Sequence, residues 1–276
     1  MAVHMQSLFM NTLQDLRVHP VDKWIRASVG GTTIVDSKRA KVVWEPRRVV
    51  PSYAVPVADL EGELVPYAGD AGTEMPVRLD QDSPVVLDPR TPFTVHSCPG
   101  VALTISTAEH DLAGAAFAPD DADLDGYVVL DWDAFEEWHE EDERVIGHPH
   151  DPFDRIDCLR SSRHVVISLD GQVLADTTRA TLLFETPLGM RYYLPREDVR
   201  MDLLGPSAQQ SICAYKGVAS YWSVGTGGEE ATDIAWGYEH PLHDALPVRD
   251  LVCFFTERVD LTVDGEEIPR PVTPWS

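Results

Sequence analysis

Short runs of β-branched and aromatic residues, broken by glycine and proline, dominate the chain, and they read as strands joined by tight turns. "HVVISLDGQVLAD" (164–176) places two such runs around Asp170-Gly171, and "RASVGGTTIVD" (26–36) does the same around Gly30-Gly31. Both dipeptides tolerate the positive φ that a two-residue hairpin turn requires. "ATLLFETPLGMRYYLP" (180–195) predicts a second hairpin across Glu185–Gly189. "ASYWSVGTGGEEATDIAW" (219–236) predicts a third, across Gly225, Gly227 and Gly228, and "LTVDGEEI" (261–268) one more. Helical signals are short: "REDVRMDLL" (196–204) after a proline, and "PLHDAL" (241–246). The expected fold class is mainly β, in small antiparallel sheets with short helices.

The pattern also recurs. Residues 27–45 line up without gaps on 167–185, matching Gly31 with Gly171, Asp36 with Asp176, Arg39 with Arg179, Ala40 with Ala180 and Glu45 with Glu185. Ser37 meets Thr177, a hydroxyl in both. With gaps, Tyr53 and Pro56 answer Tyr193 and Pro195, "CPGVA" (98–102) answers "CAYKGVA" (213–219), and "GAAF" (114–117) answers "DIAW" (233–236). Two copies of one domain are expected, at roughly 22–138 and 160–262, with domains 1–147 and 148–276. The junction "EEWHEEDERVIGHPHDPFDRID" (136–157) begins acidic and ends in turn residues. The spacing of Trp132, Phe135 and His139 predicts a short helix with an acidic outer face. His139, His148 and His150 read as linker histidines, because no spacing converges them on a metal.

Composition narrows the function classes. With 276 residues, 43% hydrophobic and 25% charged, the chain fits a globular protein. No run approaches the ~20 apolar residues of a membrane span. The N-terminus lacks a basic start followed by an apolar core, so a cytoplasmic location is expected. A net charge of −24 repels phosphate backbones and anionic lipid, so neither nucleic acid nor membrane is expected as a partner. Cys98, Cys158, Cys213 and Cys253 are widely spaced, with no C-x-x-C pair, so free thiols and no metal are expected.

"DGQVLADTTRATLLFETPLGMRYYLPREDVRMDLL", "CAYKGVASYWSV", "DIAWGYEHP" and "FFTERVD" resemble the domain-of-unknown-function 427 family, closely over 162–260 and loosely over 24–135. The resemblance implies a tandem member with a β-tent-like fold, two small antiparallel sheets meeting at an angle with a pocket between them. Many β-tent relatives carry a zinc knuckle of cysteine pairs, which this chain lacks, so no metal or cofactor is carried over. The family is sometimes labelled nucleotidyltransferase-like. The resemblance implies a fold more than an activity.

Differences between the copies indicate the candidate site. The first copy has "CPG" where the second has "CAYKG", and so lacks Tyr215 and Lys216, the last of four lysines. It also lacks evident matches for Arg200, Asp202, Ser207, Tyr221, Trp222 and Asp233. Lys216 is costly to bury unless paired, and solvent exposure is its alternative. Inside a pocket it would bind an anionic or carbonyl group, or act as a base at a lowered pKa. Arg179 and Arg200 would complete an anion clamp, while Asp202 or Asp233 would orient the lysine or receive a ligand donor. Asp176, Arg179 and Glu185, kept in both copies, read as an ion-pair network at strand ends.

Tyr193, Tyr221 and Trp236 would contact a ligand's face, or simply fill the core. A Cys213 nucleophile with His240 or His243 is weakened by Cys98 at the matching place. The expected function is binding of a small, planar, anionic molecule by the second domain. The alternatives are an enzyme using Lys216 as base or electrostatic stabiliser, and an interaction module that uses the acidic segment 131–143.

Overall fold

A computed structural model describes residues 2–186, 188–225, 228 and 231–276, and they form a mainly β structure. Gly227, expected in a turn, lies outside the described residues. The chain divides into two compact units: Met1–Arg78 with Asp82–Asp151, and Leu79–Gln81 with Pro152–Ser276.

The first unit opens with a helix, α1 (Met5–Thr12), which no sequence signal announced. Its strands are β1 (Arg17–Pro20), β2 (Ile25–Val29), β3 (Thr32–Ser37), β4 (Lys41–Trp44), β5 (Ser52–Pro56), β6 (Glu63–Pro66), β7 (Pro76–Arg78), β8 (Val85–Leu87), β9 (Gly100–Ser106), β10 (Asp111–Pro119), β11 (Tyr127–Leu130), β12 (Glu137–Glu140) and β13 (Glu143–Val145). They build a seven-stranded sheet, β1-β4-β5-β11-β10-β9-β6, a four-stranded sheet, β13-β12-β2-β3, and the pair β7-β8.

The second unit has β14 (Ile156–Arg160), β15 (Val165–Leu169), β16 (Gln172–Thr177), β17 (Thr181–Glu185), β18 (Arg191–Leu194), β19 (Leu204–Cys213), β20 (Gly217–Val224), β21 (Ala235–Gly237), β22 (Val252–Phe254), β23 (Asp260–Val263) and β24 (Glu266–Ile268). Here the seven-stranded sheet runs β14-β17-β18-β22-β21-β20-β19 and the four-stranded sheet β16-β15-β23-β24. Every strand ladder in both units is antiparallel.

The two-residue period of the strands divides each large sheet into two faces. In the second unit Leu182, Tyr192, Leu194, Trp222, Val252 and Phe254 meet Val165, Ile167, Leu261 and Val263 of the small sheet in one buried cluster. Full burial of such a side chain stabilises by roughly 1.5–3 kcal/mol. Their neighbours Leu183, Tyr193, Ala219, Trp236 and Cys253 form a second cluster on the opposite face.

Several ladders of the two units share the same register. The β2–β3 hairpin turns at Gly30-Gly31 and slips register between Ala27 and Ser28, while β15–β16 turns at Asp170-Gly171 and slips between Ile167 and Ser168. Ser37 Oγ and Arg39 both reach Asp59, 2.6 and 2.5 Å away, and Thr177 Oγ1 and Arg179 reach Asp198 at 2.6 and 2.7 Å. Isolated bridges Val35–Leu60 and Ala175–Val199 sit beside these latches.

Register also corrects the sequence alignment. Lys41 lies opposite Ala54 as Thr181 lies opposite Tyr193, so Ala54 is the counterpart of Tyr193, and Tyr53 that of Tyr192. Ala102 faces Phe117 as Tyr221 faces Trp236, which shifts "CPGVA" two places from the motif it was matched to.

Two helical expectations shrink and one fails. "REDVRMDLL" forms 3-10 turns Arg196–Asp198 and Met201–Leu203, and the stretch after Pro241 forms a 3-10 turn, His243–Val248. The acidic segment is not a helix. Beyond a 3-10 turn at Trp132–Ala134 it forms β12 and β13, with Trp138 and Glu140 buried and Glu137 exposed. Pairing of β12 to β2 and β13 satisfies its backbone on both sides and overrides the helical spacing.

Candidate functional site

The outer face of the second unit's large sheet collects the charged and aromatic side chains. Glu185 projects from the end of β17, Tyr193 from β18, Cys253 from β22, Trp236 from β21 and Tyr221 from β20. The turn His243–Val248 covers part of this face with Ala245 and Val248. Lys216 comes from the turn between β19 and β20. The next residue, Gly217, takes φ +99°, and a Cβ there would stand 3.2 Å from the His240 carbonyl oxygen. Glycine therefore permits the close approach of 240–242, whose Leu242 N–H donates to the Lys216 carbonyl at 3.1 Å.

Lys216 is 8% exposed and donates to Glu185 Oε2 in a buried ion pair. Burial acts to lower its pKa. The charge and hydrogen bond of Glu185 outweigh burial and hold the ammonium above its ordinary value. Trp236 Nε1 donates to Tyr193 Oη at 3.2 Å, with the rings edge to face. Tyr221 Oη and Ser211 Oγ are 2.8 Å apart. Burial, chiefly, raises the Tyr193 and Tyr238 hydroxyls well above their usual range and pushes the Cys253 thiol up to about 12. All three stay protonated at neutral pH.

The sequence did not single out the neighbouring pair. Arg191 makes bidentate contact with Glu257 at 2.8 and 2.7 Å, and the Glu257 carboxylate also accepts from Thr273 at 2.7 Å. The guanidinium stands 5.6 Å from the Trp236 ring and 5.4 Å from that of Trp275. Arg191 opens β18, alternating with Tyr192, while Glu257 lies in the turn after β22.

The structure brings together Glu185, Tyr193, Lys216, Tyr221 and Trp236. It does not bring the other candidates to them. Arg179 is exposed and belongs to the Asp198 latch, as Arg39 belongs to that of Asp59. Arg200 and Asp202 are exposed and bind each other at 2.8 and 2.6 Å. Asp233 takes φ +53°, donates its N–H to Ser223 Oγ at 2.9 Å, and accepts from Arg258 at its carbonyl. The expected network of Asp176, Arg179 and Glu185 resolves into separate pairs, with His164, Asp198 and Lys216 respectively.

In the first unit the counterpart face is closed with apolar side chains and one loop. Val43, Ala54, Val129 and Phe117 form its buried cluster, joined by Val18, Phe93 and Cys98. Residues 67–99 separate β6 from β9, whereas three residues separate β19 from β20. This loop delivers His96 and Ser97 to Glu45, the counterpart of Glu185: Nδ1 of His96 is 3.0 Å from Oε1, and the Ser97 N–H donates to Oε2 at 2.7 Å.

Elsewhere in the first unit Glu140 accepts hydrogen bonds from Lys23 and Tyr53 and faces His150 Nδ1 at 3.4 Å. His150, expected in a solvated linker, is thus part of this network. Among the described residues no group of three or more His, Cys, Asp or Glu could hold a metal ion. No helix among them is long and apolar enough to cross a membrane.

A mainly β protein whose second unit carries a buried lysine–glutamate pair on an aromatic sheet face is the class these features define. Residues 157–265 match the sequence profile of the family described as domain of unknown function DUF427. The match runs from β14 to the turn before β24, and supports the resemblance over that segment. No curated protein matches the chain.

Proposed function

We propose that the chain carries two copies of one β domain, and that the second binds a small, planar organic molecule at the Lys216–Glu185 end of its aromatic face. The duplication is supported by the shared bulge, the shared latches and the ladder counterparts. The ligand reading rests on one observation: a buried ion pair among tyrosine and tryptophan in one unit, where the other has Ala54 and a self-supplied loop. A buried charged pair is costly to keep, and apolar residues fill such places at less cost.

The ligand's expected anionic character loses its support, because Lys216 is neutralised by Glu185 and both arginines of the clamp are paired elsewhere. The base role for Lys216 is disfavoured too, since Glu185 keeps it protonated. Nucleic acid and anionic membrane remain poor partners for a chain of charge −24.

A thermal-shift screen of metabolites on the full chain tests the reading, run beside a variant combining Glu185→Leu with Lys216→Met. Hits that stabilise the natural protein and not the variant support it. Hits that stabilise both equally assign binding elsewhere.

A further inference from the structure

In the first unit a planar ring stacks face to face beside the buried carboxylate, whereas in the second Trp236 meets Phe255 at a tilt and Tyr193 edge on. His96 lies face to face on Phe117, with centroids 3.7 Å apart and planes at 9°, while its Nδ1 meets Glu45 Oε1 at 3.0 Å. Phe93 braces the ring edge on at 5.2 Å. The loop is pinned by Arg48, which donates to the carbonyls of Thr91, Pro92 and Val95 at 3.2, 2.7 and 2.8 Å. Phe117 is the counterpart of Trp236, because they face the counterparts Val129 and Cys253 across the ladder. Glu45 is that of Glu185. An ionised carboxylate only accepts hydrogen bonds, so the ring nitrogen on Glu45 carries the proton.

The second unit keeps the aromatic surface and the acceptor, but among the described residues no ring stacks face to face on Trp236. Its three-residue turn brings Lys216 to Glu185 Oε2, and among the described residues nothing donates to the other oxygen, Oε1, whereas His96 and Ser97 meet both oxygens of Glu45. Trp236 offers a wider π-surface than Phe117. Its flank carries the half-buried Phe255 at 4.5 Å and 45°, a tilted contact rather than a stacked one.

We infer that the second unit's face takes a planar heteroaromatic ring bearing an N–H donor, stacked on Trp236 and donating to Glu185 Oε1 as His96 does to Glu45. This rests on the ligand-binding reading above and specifies its chemistry. The ring is neutral rather than anionic, because Lys216 already balances the carboxylate. Its stacking requires Phe255 to swing from the flank of Trp236.

Benzimidazole, 1-methylbenzimidazole and indene separate the requirements for ring, N–H and heteroatom. In calorimetric titration of the full chain, benzimidazole is expected to bind one saturable site. The methylated ring and indene, and the Glu185→Leu/Lys216→Met variant with benzimidazole, are each expected to bind at least tenfold more weakly. In a second arm, run in the Glu185→Leu/Lys216→Met background so that the second unit does not respond, imidazole is expected to raise the melting temperature once His96→Gly is added, in a saturable manner, by refilling the first unit, and to leave the parent variant unmoved. Equal affinity for benzimidazole and its methylated form, or no saturable binding of either, overturns the inference. A His96→Gly protein that folds and ignores imidazole overturns the template on which it stands. If library hits depend on Lys216 and Glu185 yet benzimidazole does not bind, the ligand class fails and the binding reading survives.

Discussion

Lys216 and Glu185 form an ion pair in which the two side chains are 10% and 9% exposed. Removing one partner of such a pair leaves the other charge buried and uncompensated, at a cost of about 3–5 kcal/mol. Lys216→Met alone is therefore expected to destabilise its unit by about that much in urea unfolding. Adding Glu185→Leu to it is expected to recover most of the loss, because an apolar pair of similar volume is neutral or stabilising there. A single variant that unfolds at the natural urea midpoint would refute the burial argument.

Acid should reveal the first unit's buried carboxylate. Burial pushes Glu140 up, but hydrogen bonds from His150, Lys23 and Tyr53 outweigh it and hold the group at about 2. Its value in the unfolded chain is about 4.3. A folded pKa below the unfolded one contributes stability that is fully present above the unfolded value and disappears as pH falls through the folded one. The stability gap between the natural protein and Glu140→Gln is expected to be constant above about pH 5 and to close by about pH 2. Unfolding curves at stepped pH measure it.

Thiol reactivity reports the burial of the cysteines. Burial pushes Cys253 and Cys98 up to about 12, Cys98 with further help from Glu45. A thiol in that range is almost wholly protonated at pH 8 and reacts slowly. Cys253 is expected to resist alkylation in the native protein and to label fully in denaturant, as read by peptide mass mapping. Fast native labelling of Cys253 would contradict its burial.

The hairpin turns differ in what a methyl group would meet. Gly171 has φ +77° with nothing within 4 Å of an added Cβ, so Gly171→Ala carries the left-handed backbone cost alone, about 1–2 kcal/mol. Gly30 has φ +57°, and its added Cβ would stand 3.1 Å from His110 Nε2. Gly30→Ala is expected to cost more than Gly171→Ala unless His110 rotates away, and thermal melts of the two variants compare them directly.

Hairpins centred on Gly30-Gly31, Asp170-Gly171 and Asp264-Gly265 were legible because positive φ at two adjacent residues leaves few alternatives. Lys216 was legible as an odd residue, and its partner Glu185 was named beside it. Their pairing was not, because it depends on how far the β19–β20 turn folds back, a distance no local pattern encodes. Arg179 was read both as part of an ion-pair network and as part of an anion clamp, and its actual partner was not legible for a related reason. Its partner Asp198 lies beyond β17 and β18, and only the repeated latch of Arg39 on Asp59 exposes its structural role. The acidic strand β12 was missed because Trp132, Phe135 and His139 mimic a helical period, while the true signal was the shorter alternation of Trp138 and Glu140. His96 gave no signal at all. It belongs to a loop present in one unit and absent from the other, so internal comparison had nothing to set against it.

Loop 67–99 gives the first unit an occupant tethered by covalent bonds, so its filling does not depend on concentration. The turn 214–216 gives the second unit no such tether. On the proposed reading, conditions that alter solutes around the protein act on the second unit, and the first serves as an internal reference within the same molecule.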